Sequence, residues 1–394
     1  MKILYWYRNK VKLRFLVLYG SLEAVEWRLI MRSSYKEEDV IFLLKDITGL
    51  VKPQSAKERE RLIQAGKHYS EMLPIEYVPS QKYMEVYSQV LERYSKPTAL
   101  AIGRLCDKLI QTKGENFVLV SLARAGTPIG ILVKHYIQWK YHIDVLHYSI
   151  SIIKGRGIDK NAMNYLLERH KPQELLFVDG WTGKGAILNE LKKAVKAYEG
   201  VSSDIAVVAD PANITTLCGT HEDIVIPSSC LNCTVSGLVS RTFLREDIIG
   251  SHDFHGAVYY GELAEADLSY EFIDAIEHCF ERDSAQKDKV WETTVDGCGA
   301  DEAAQIAEAF QVKDVGLVKP GIGETTRVLL RRVPWKILID KRYEKSLEVE
   351  HIQRLAAEKN VTVEYCTLKN YKCCGIIEGG GTDVVWQKNT KENI

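Results

Sequence analysis

The stretch Leu175-Leu176-Phe177-Val178-Asp179-Gly180-Trp181-Thr182-Gly183-Lys184-Gly185-Ala186 decides the fold of this chain. Four consecutive apolar residues suit a short strand buried on both faces, as in a parallel sheet. Asp179 falls where that strand should end. A glycine-rich turn follows, and Ile187 to Tyr198 then has a helical period, with Ile187, Leu188, Leu191, Val195 and Tyr198 on one face. Small residues let successive backbone N–H groups converge, and a helix start adds partial positive charge, so this order can build an anion site. It also describes an ordinary strand-to-helix turn, and from these twelve residues alone both readings stand.

Working outward, strands are expected at Phe117–Leu122, Ile143–Ser149, Leu175–Val178, Ile205–Val208 and Asp223–Ile226. Helical patterns lie between the first four, around Pro128–Tyr136, Lys160–His170 and Ala186–Tyr198. Alternation at this spacing predicts an α/β fold, a parallel sheet with helices on both faces. Ligands of such sheets lie at the carboxyl ends of the strands. Three loops on that edge suit an anion. They are the opening turn, Ala123-Arg124-Ala125-Gly126-Thr127-Pro128, and Lys154-Gly155-Arg156-Gly157-Ile158-Asp159, the last with the composition of a mobile lid. Asp210-Pro211 ends the fourth strand.

Upstream, Ser33–Leu44 suggests a capped helix, Lys57–Lys67 a polar one, and Lys82–Tyr94 and Thr98–Thr112 two more around a proline. Met31 opens directly onto a segment that reads as ordered protein, so 1–30 reads as an N-terminal extension without a functional role. Residues 31–280 form the expected main domain, with a cap over the sheet edge past Ile226 and a helix at Leu268–Phe280. Polar residues 281–300, with Gly297 and Gly299, read as a linker. A smaller α/β domain at 301–378 follows, with helices at Asp301–Phe310, from Gly321, and at Glu348–Lys359. Its strands are expected at Val315–Val318, Trp335–Ile339 and Val361–Tyr365. Residues 379–394 read as a flexible tail.

The 394 residues are 46% apolar, enough for real cores, and the formal net charge of −1 argues against a general attraction to nucleic acid or membrane. Nine scattered cysteines suit a reduced, cytoplasmic protein, and the single Cys230-x-x-Cys233 is a weak metal signal. No stretch approaches the ~18 apolar residues of a membrane span.

The opening turn resembles the signature of type I phosphoribosyltransferases: hydrophobic strand, acid, short loop, then Thr-Gly at a helix start. Ser121-Leu122-Ala123-Arg124-Ala125-Gly126-Thr127-Pro128 resembles that family's diphosphate loop. More widely, His68–Pro74, Ser121–Gly130, His147–Asp159, Phe177–Ile187, Ile226–Thr242 and Phe254–Gly256 resemble the StiP-like stress family of tellurite-resistance gene clusters. That family is described as phosphoribosyltransferase-like and also carries the label "cysteine protease StiP". Val318-Lys319-Pro320-Gly321-Ile322-Gly323-Glu324-Thr325-Thr326-Arg327 resembles the Pelota-type RNA-binding domain.

The resemblance implies an enzyme that uses phosphoribosyl diphosphate (PRPP), with Mg²⁺ bridging the diphosphate and an unidentified acceptor. Asp179, Arg124 and Arg156 would be catalytic. Ala123, Arg124, Ala125, Gly126, Asp179, Thr182, Gly183, Lys184 and Gly185 would hold PRPP. Asn232, Thr234, Ser236 and Arg241 would line the acceptor pocket. RNA would meet Lys319, Gly321, Gly323, Glu324, Thr325 and Arg327. Two departures are plain. Gly180 stands where many relatives have a second acid, and Gly323 stands where kink-turn binders have Asn. A cysteine protease would need a thiolate beside a histidine. Cys230 or Cys233 with His255 is the expected pair, with His221 as another partner. The non-enzyme alternative is an RNA-binding regulator that senses a phosphorylated sugar.

Overall fold

The computed structural model describes residues 31–79, 81–281 and 294–378. The extension at 1–30, most of the linker at 281–300 and the tail at 379–394 lie outside the described residues.

Six parallel strands form the main sheet: β1 (Ile41–Phe42), β2 (Val118–Leu122), β3 (His147–Ile150), β4 (Leu175–Trp181), β5 (Ile205–Ala209) and β6 (Cys218–Thr220), in the order β1-β3-β2-β4-β5-β6. Side chains alternate across a strand, and the two faces fill two cores. Leu119, Leu176, Val178, Ala206 and Val208 pack with helices α1 (Gln81–Lys113), α2 (Gly126–Tyr141) and α5 (Ser269–Glu277). Val118, Val120, Leu175, Phe177, Ile205 and Val207 pack with α3 (Lys160–Leu167) and α4 (Ala186–Val195). The expected α/β architecture with a parallel sheet flanked by helices is therefore present.

Three local expectations fail for physical reasons. Ser33–Leu44 is not a helix. Its apolar end forms the edge strand β1, pairing Ile41 with Tyr148 and Phe42 with Ser149. The two helices expected around Pro97 are one helix, α1. Val86, Tyr87, Val90 and Leu91 before the proline and Ile102, Leu105 and Leu109 after it are all buried. Tertiary packing on both sides thus outweighs a cost of about 3 kcal/mol for proline in a helix. The last strand of the sheet is Cys218–Thr220 and not Asp223–Ile226.

The C-terminal unit begins in the expected linker with helix α6 (Cys298–Ala309). Its sheet holds β7 (Val318–Pro320), β8 (Pro334–Asp340), β9 (Thr362–Cys366) and β10 (Cys373–Ile377) in the order β7-β10-β8-β9, with helices α7 (Ile322–Arg331) and α8 (Leu347–Glu358). Strand β10, absent from the sequence reading, is central and fully buried. The two units share one apolar core: Ile322, Leu329, Ile337, Val349 and Ile352 belong to the same cluster as Val86, Val90 and Cys230. Such an interface behaves as interior and not as a loose contact between domains.

Candidate active site

The loop after β5 and the turn after β6 meet at the carboxyl edge of the sheet. Asp210 is completely buried there. Its Oδ2 accepts the amides of Ile214 (2.8 Å) and Thr215 (2.9 Å). Its Oδ1 accepts the Thr182 hydroxyl, which the opening turn supplies. The carboxylate is held on three sides, and its remaining direction faces His221. His221 Nδ1 lies 3.1 Å from the Asp210 carbonyl oxygen and 3.3 Å from Oδ2. Both are acceptors, so Nδ1 carries a proton. The ring's other nitrogen, Nε2, lies 3.4 Å from the Cys218 sulfur. The sulfur also lies 3.8 Å from Nδ1, so it sits beside the ring, and a thiol, an imidazole and a buried carboxylate are gathered in one cluster.

Electrostatics agree. The hydrogen bond to Asp210, then that to Cys218, raises the His221 pKa to about 10 against the opposing effect of burial. The ring is therefore held in its protonated form at neutral pH, with hydrogen on both nitrogens. Cys218 is 4% exposed, whereas a quarter of the His221 side chain meets solvent. Donor atoms of Asp210, Cys218 and His221 also lie within 4.8 Å of one another, a spacing that a metal ion could use. Three protein donors already occupy the carboxylate, however, which suits an orienting role better than ligation.

The sequence reading named His221 but not Cys218 or Asp210 as its partners. The pair it favoured is not formed. His255 directs Nδ1 to Ser151 Oγ at 2.8 Å, and its backbone amide meets Asp159. Cys230 packs in the core shared with Leu231 and Val235, and Cys233 packs with Ile47, Leu73 and Phe243.

The residues nominated for a sugar diphosphate are engaged within the protein. Asp179 accepts the Gly180 amide at 2.7 Å, and burial pushes its pKa up to about 6. Arg124 donates to the Val239 carbonyl at 3.0 Å and also meets Glu76 and Asn232. Ala123 is bonded to Ile150, Ala125 precedes α2, and a Cβ on Gly126 would lie 2.3 Å from the Val178 carbonyl, so that turn rests directly on β4. Arg156, the expected lid residue, lies on an exposed turn. It pairs with Glu71 and donates to Leu244. Gly183 receives the Tyr371 hydroxyl at 2.7 Å, and the Lys184 ammonium is bonded to the Val315 and Val318 carbonyls. Thr182 serves Asp210, and Gly185 turns the chain into α4 at φ 82°. The expected acceptor pocket is interior structure. Asn232 meets Arg124, Ser236 bonds the Asn232 carbonyl, Thr234 is buried, and Arg241 donates to Tyr69 and Met72.

Of the candidate RNA-contacting residues, Gly321, Gly323 and Thr325 are buried and Lys319, Glu324 and Arg327 are half-buried. A Cβ on Gly323 would stand 2.9 Å from the Trp181 ring, and one on Gly183 would stand 3.2 Å from Glu324. Arg327 stacks over Trp181 at 4.4 Å, Gly321 abuts Asp223, and Thr325 is buried and bonded to Lys319.

Comparison with known proteins bears directly on this arrangement. Residues 33–277 match the family described as "Tellurite-like stress resistance cysteine protease StiP", and residues 298–379 match the "PELOTA RNA binding domain". The chain is 35% identical over 322 residues to "Cysteine protease StiP" of Acinetobacter baylyi (strain ATCC 33305 / BD413 / ADP1), covering 78% of this chain and 83% of that protein. Among solved structures, a hypoxanthine-guanine phosphoribosyltransferase of Bacillus anthracis str. 'Ames Ancestor' gives a TM-score of 0.21 at 14% identity, over 32% of this chain and 68% of that one. Archaeoglobus fulgidus Pelota gives 0.16 at 11%, over 55% and 51%. Neither likeness carries an argument.

These findings overturn the phosphoribosyltransferase reading. The family and the relative are named as cysteine proteases, and the anion loops are filled by the protein's own groups. The Mg²⁺ expectation belongs to the sugar diphosphate reading alone. Among the described residues, no helix is long and apolar enough to cross a membrane. The chain belongs to the StiP family of tellurite-like stress resistance cysteine proteases, and it carries a Pelota-type RNA-binding domain at its C-terminal end.

Proposed function

We propose that this chain is a cysteine-dependent peptidase acting in a stress response, with Cys218 as nucleophile, His221 as general base and acid, and Asp210 as the group that orients and charges the ring. The observation that carries the reading is the Cys218 sulfur beside the His221 ring, 3.4 Å from Nε2 and 3.8 Å from Nδ1, with a buried carboxylate at Nδ1. The family description and the relative's name support it. The sulfur attacks the substrate carbonyl carbon as the thiolate, beside a ring that already carries its proton on Nε2. His221 gives that proton to the departing amine nitrogen when the C–N bond breaks, leaving a thioester. Water then gives a proton to the same ring, attacks the thioester carbonyl and releases the acid, and the thiolate beside the protonated ring is restored. A ring with raised proton affinity stabilises the charged states of this sequence. For the C-terminal unit we infer contact with RNA, which its family description supports.

The test is peptidase activity on a denatured-protein substrate, together with iodoacetamide labelling of Cys218. Cys218→Ser and His221→Ala are each expected to remove turnover, and His221→Ala is also expected to slow labelling. Full turnover by Cys218→Ser overturns the assignment.

A further inference from the structure

Tyr371 sits on the loop that joins β9 to β10 and is only 1% exposed. Its ring packs with Ile306, Val318, Leu338 and Ile376 of the C-terminal unit. Such an apolar setting would suit phenylalanine, so the hydroxyl needs a reason of its own. It crosses to the N-terminal unit and donates to the Gly183 carbonyl at 2.7 Å. Gly183 follows Thr182, whose own hydroxyl meets the Asp210 carboxylate. The loop after β5 is close by as well. A Cβ on Gly299 would lie 2.8 Å from the Tyr371 oxygen and 2.3 Å from the Pro211 carbonyl.

The loop that carries Tyr371 is firmly tied. Buried Glu302 of α6 accepts the amides of Lys369 (2.6 Å) and Asn370 (2.7 Å), and Asp340 accepts that of Leu368 (2.7 Å). Asp223 accepts the Lys372 amide at 2.9 Å. Backbone amides on both sides of Tyr371 are thus bonded to carboxylates. The opening turn is the opposite case. Gly183 and Gly185 bring no side chains, and Gly185 adopts a φ of 82°, so the turn has little of its own to hold its shape. The Lys184 ammonium steadies it on the Val318 (2.5 Å) and Val315 carbonyls, and these too belong to the C-terminal unit. A stiff loop of one unit holds a pliable turn of the other, and that turn holds the carboxylate at His221.

We propose that Tyr371 is a positioning residue of the peptidase site, its hydroxyl fixing the opening turn so that Thr182 holds Asp210 beside His221. The proposal rests on the peptidase reading and adds that the C-terminal unit governs the site through this one hydroxyl. A slack turn lets the carboxylate drift, and the ring is then less firmly charged and less well aimed.

The experiment reads kcat and KM on a denatured-protein substrate, together with the NMR titration of the His221 ring, in the full chain. Tyr371→Phe is expected to lower kcat about fivefold with KM unchanged, as for one lost hydrogen bond. The His221 titration should move to lower pH, because its bond to Asp210 is what raises it. Added to Thr182→Val, Tyr371→Phe should cost nothing further, since its effect passes through the Thr182 hydroxyl. Tyr365→Phe, which removes a hydroxyl bonded to Gln353 at 3.2 Å, should match wild type. Glu302→Gln slackens the Tyr371 loop and leaves the hydroxyl in place. It should move the titration in the same direction, and it decides the matter if Tyr371→Phe does not fold. Wild-type kcat with an unmoved titration, or fully multiplicative costs in the double variant, overturns the proposal. The titration needs no turnover, so the two failures are separate. An unmoved ring sinks the Tyr371 assignment alone, whereas full turnover by Cys218→Ser sinks the peptidase reading and the positioning role with it.

Discussion

The Asp223 carboxylate receives the Lys372 amide at 2.9 Å, and its other oxygen receives the Ile322 amide at the same distance. Asp223 stands two residues beyond His221, so the C-terminal unit is gripped by the segment that carries the His221 ring. On the other side, Asn213 of the Asp210 loop bonds Asp296 and Gly297, and a Cβ on Gly299 would lie 2.3 Å from the Pro211 carbonyl. The C-terminal unit is a structural part of the site.

Removing the Asp223 carboxylate leaves two amide donors without their acceptor, at about 1–3 kcal/mol each. Asp223→Ala is therefore expected to lose about 2–6 kcal/mol in chemical denaturation and to lower peptidase turnover. Asp223→Asn should do no better, because its amide nitrogen would meet a donor. Stability within 0.5 kcal/mol of wild type for both would show that the clamp is unimportant.

Burial raises the Asp179 and Asp223 pKa values to about 6 and so favours their protonated forms in the folded chain. An acid raised above its unfolded value adds stability that is present at low pH and lost as pH climbs. Between about pH 4 and 6 these two carboxylates withdraw stability. His221, raised to about 10, adds stability that is complete below 6.5 and is lost as pH climbs through 10. The stability difference between wild type and His221→Gln should accordingly shrink from pH 7 to pH 10. A constant difference across that range would place the His221 proton elsewhere.

The glycine at 323, where the kink-turn binders have Asn, has a local cause. Its ideal Cβ would press the Trp181 ring at 2.9 Å, in a contact sealed by Arg327 over the same ring. Gly323→Ala is expected to cost about 1–3 kcal/mol through overpacking. In a Trp181→Ala background the added cost should largely vanish, which a double-mutant cycle measures. Equal costs in both backgrounds would show that Trp181 is not the obstacle.

The sheet was legible because its central strands are unbroken apolar runs, and Leu175–Val178 signals burial on both faces without any help from neighbours. The candidate site was not. Its nucleophile lies on Cys218-Gly219-Thr220, a strand too short and polar for periodicity to register. Gly219 belongs there because a Cβ would fall 2.1 Å from the Ala101 carbonyl, a contact with α1 that only the fold reveals. Asp210 was noticed as a strand end, and His221 was named as a partner. What local spacing could not show is that parallel pairing of β5 with β6 sets Asp210 beside the turn after Thr220. The resemblance of the opening turn to a phosphate loop misled for a related reason. Thr182, Gly183 and Lys184 do make polar contacts, but with Asp210, Tyr371 and the backbone of the C-terminal unit.

Thr182 therefore has a role that the opening turn did not advertise. Its amide bonds the Ala209 carbonyl at 3.0 Å, and its hydroxyl meets Asp210 Oδ1. This side chain positions the carboxylate behind His221 without touching substrate. Thr182→Val keeps the shape but removes the hydroxyl and leaves a buried carboxylate oxygen without a donor. It is expected to lower kcat by about tenfold, for a lost charge-assisted bond of about 1.5 kcal/mol, with KM unchanged. The pH at which His221 titrates should move as well, which NMR of the ring measures. Thr182→Ser should restore both. Wild-type kcat and an unmoved His221 titration in Thr182→Val would show that the two backbone amides alone hold Asp210.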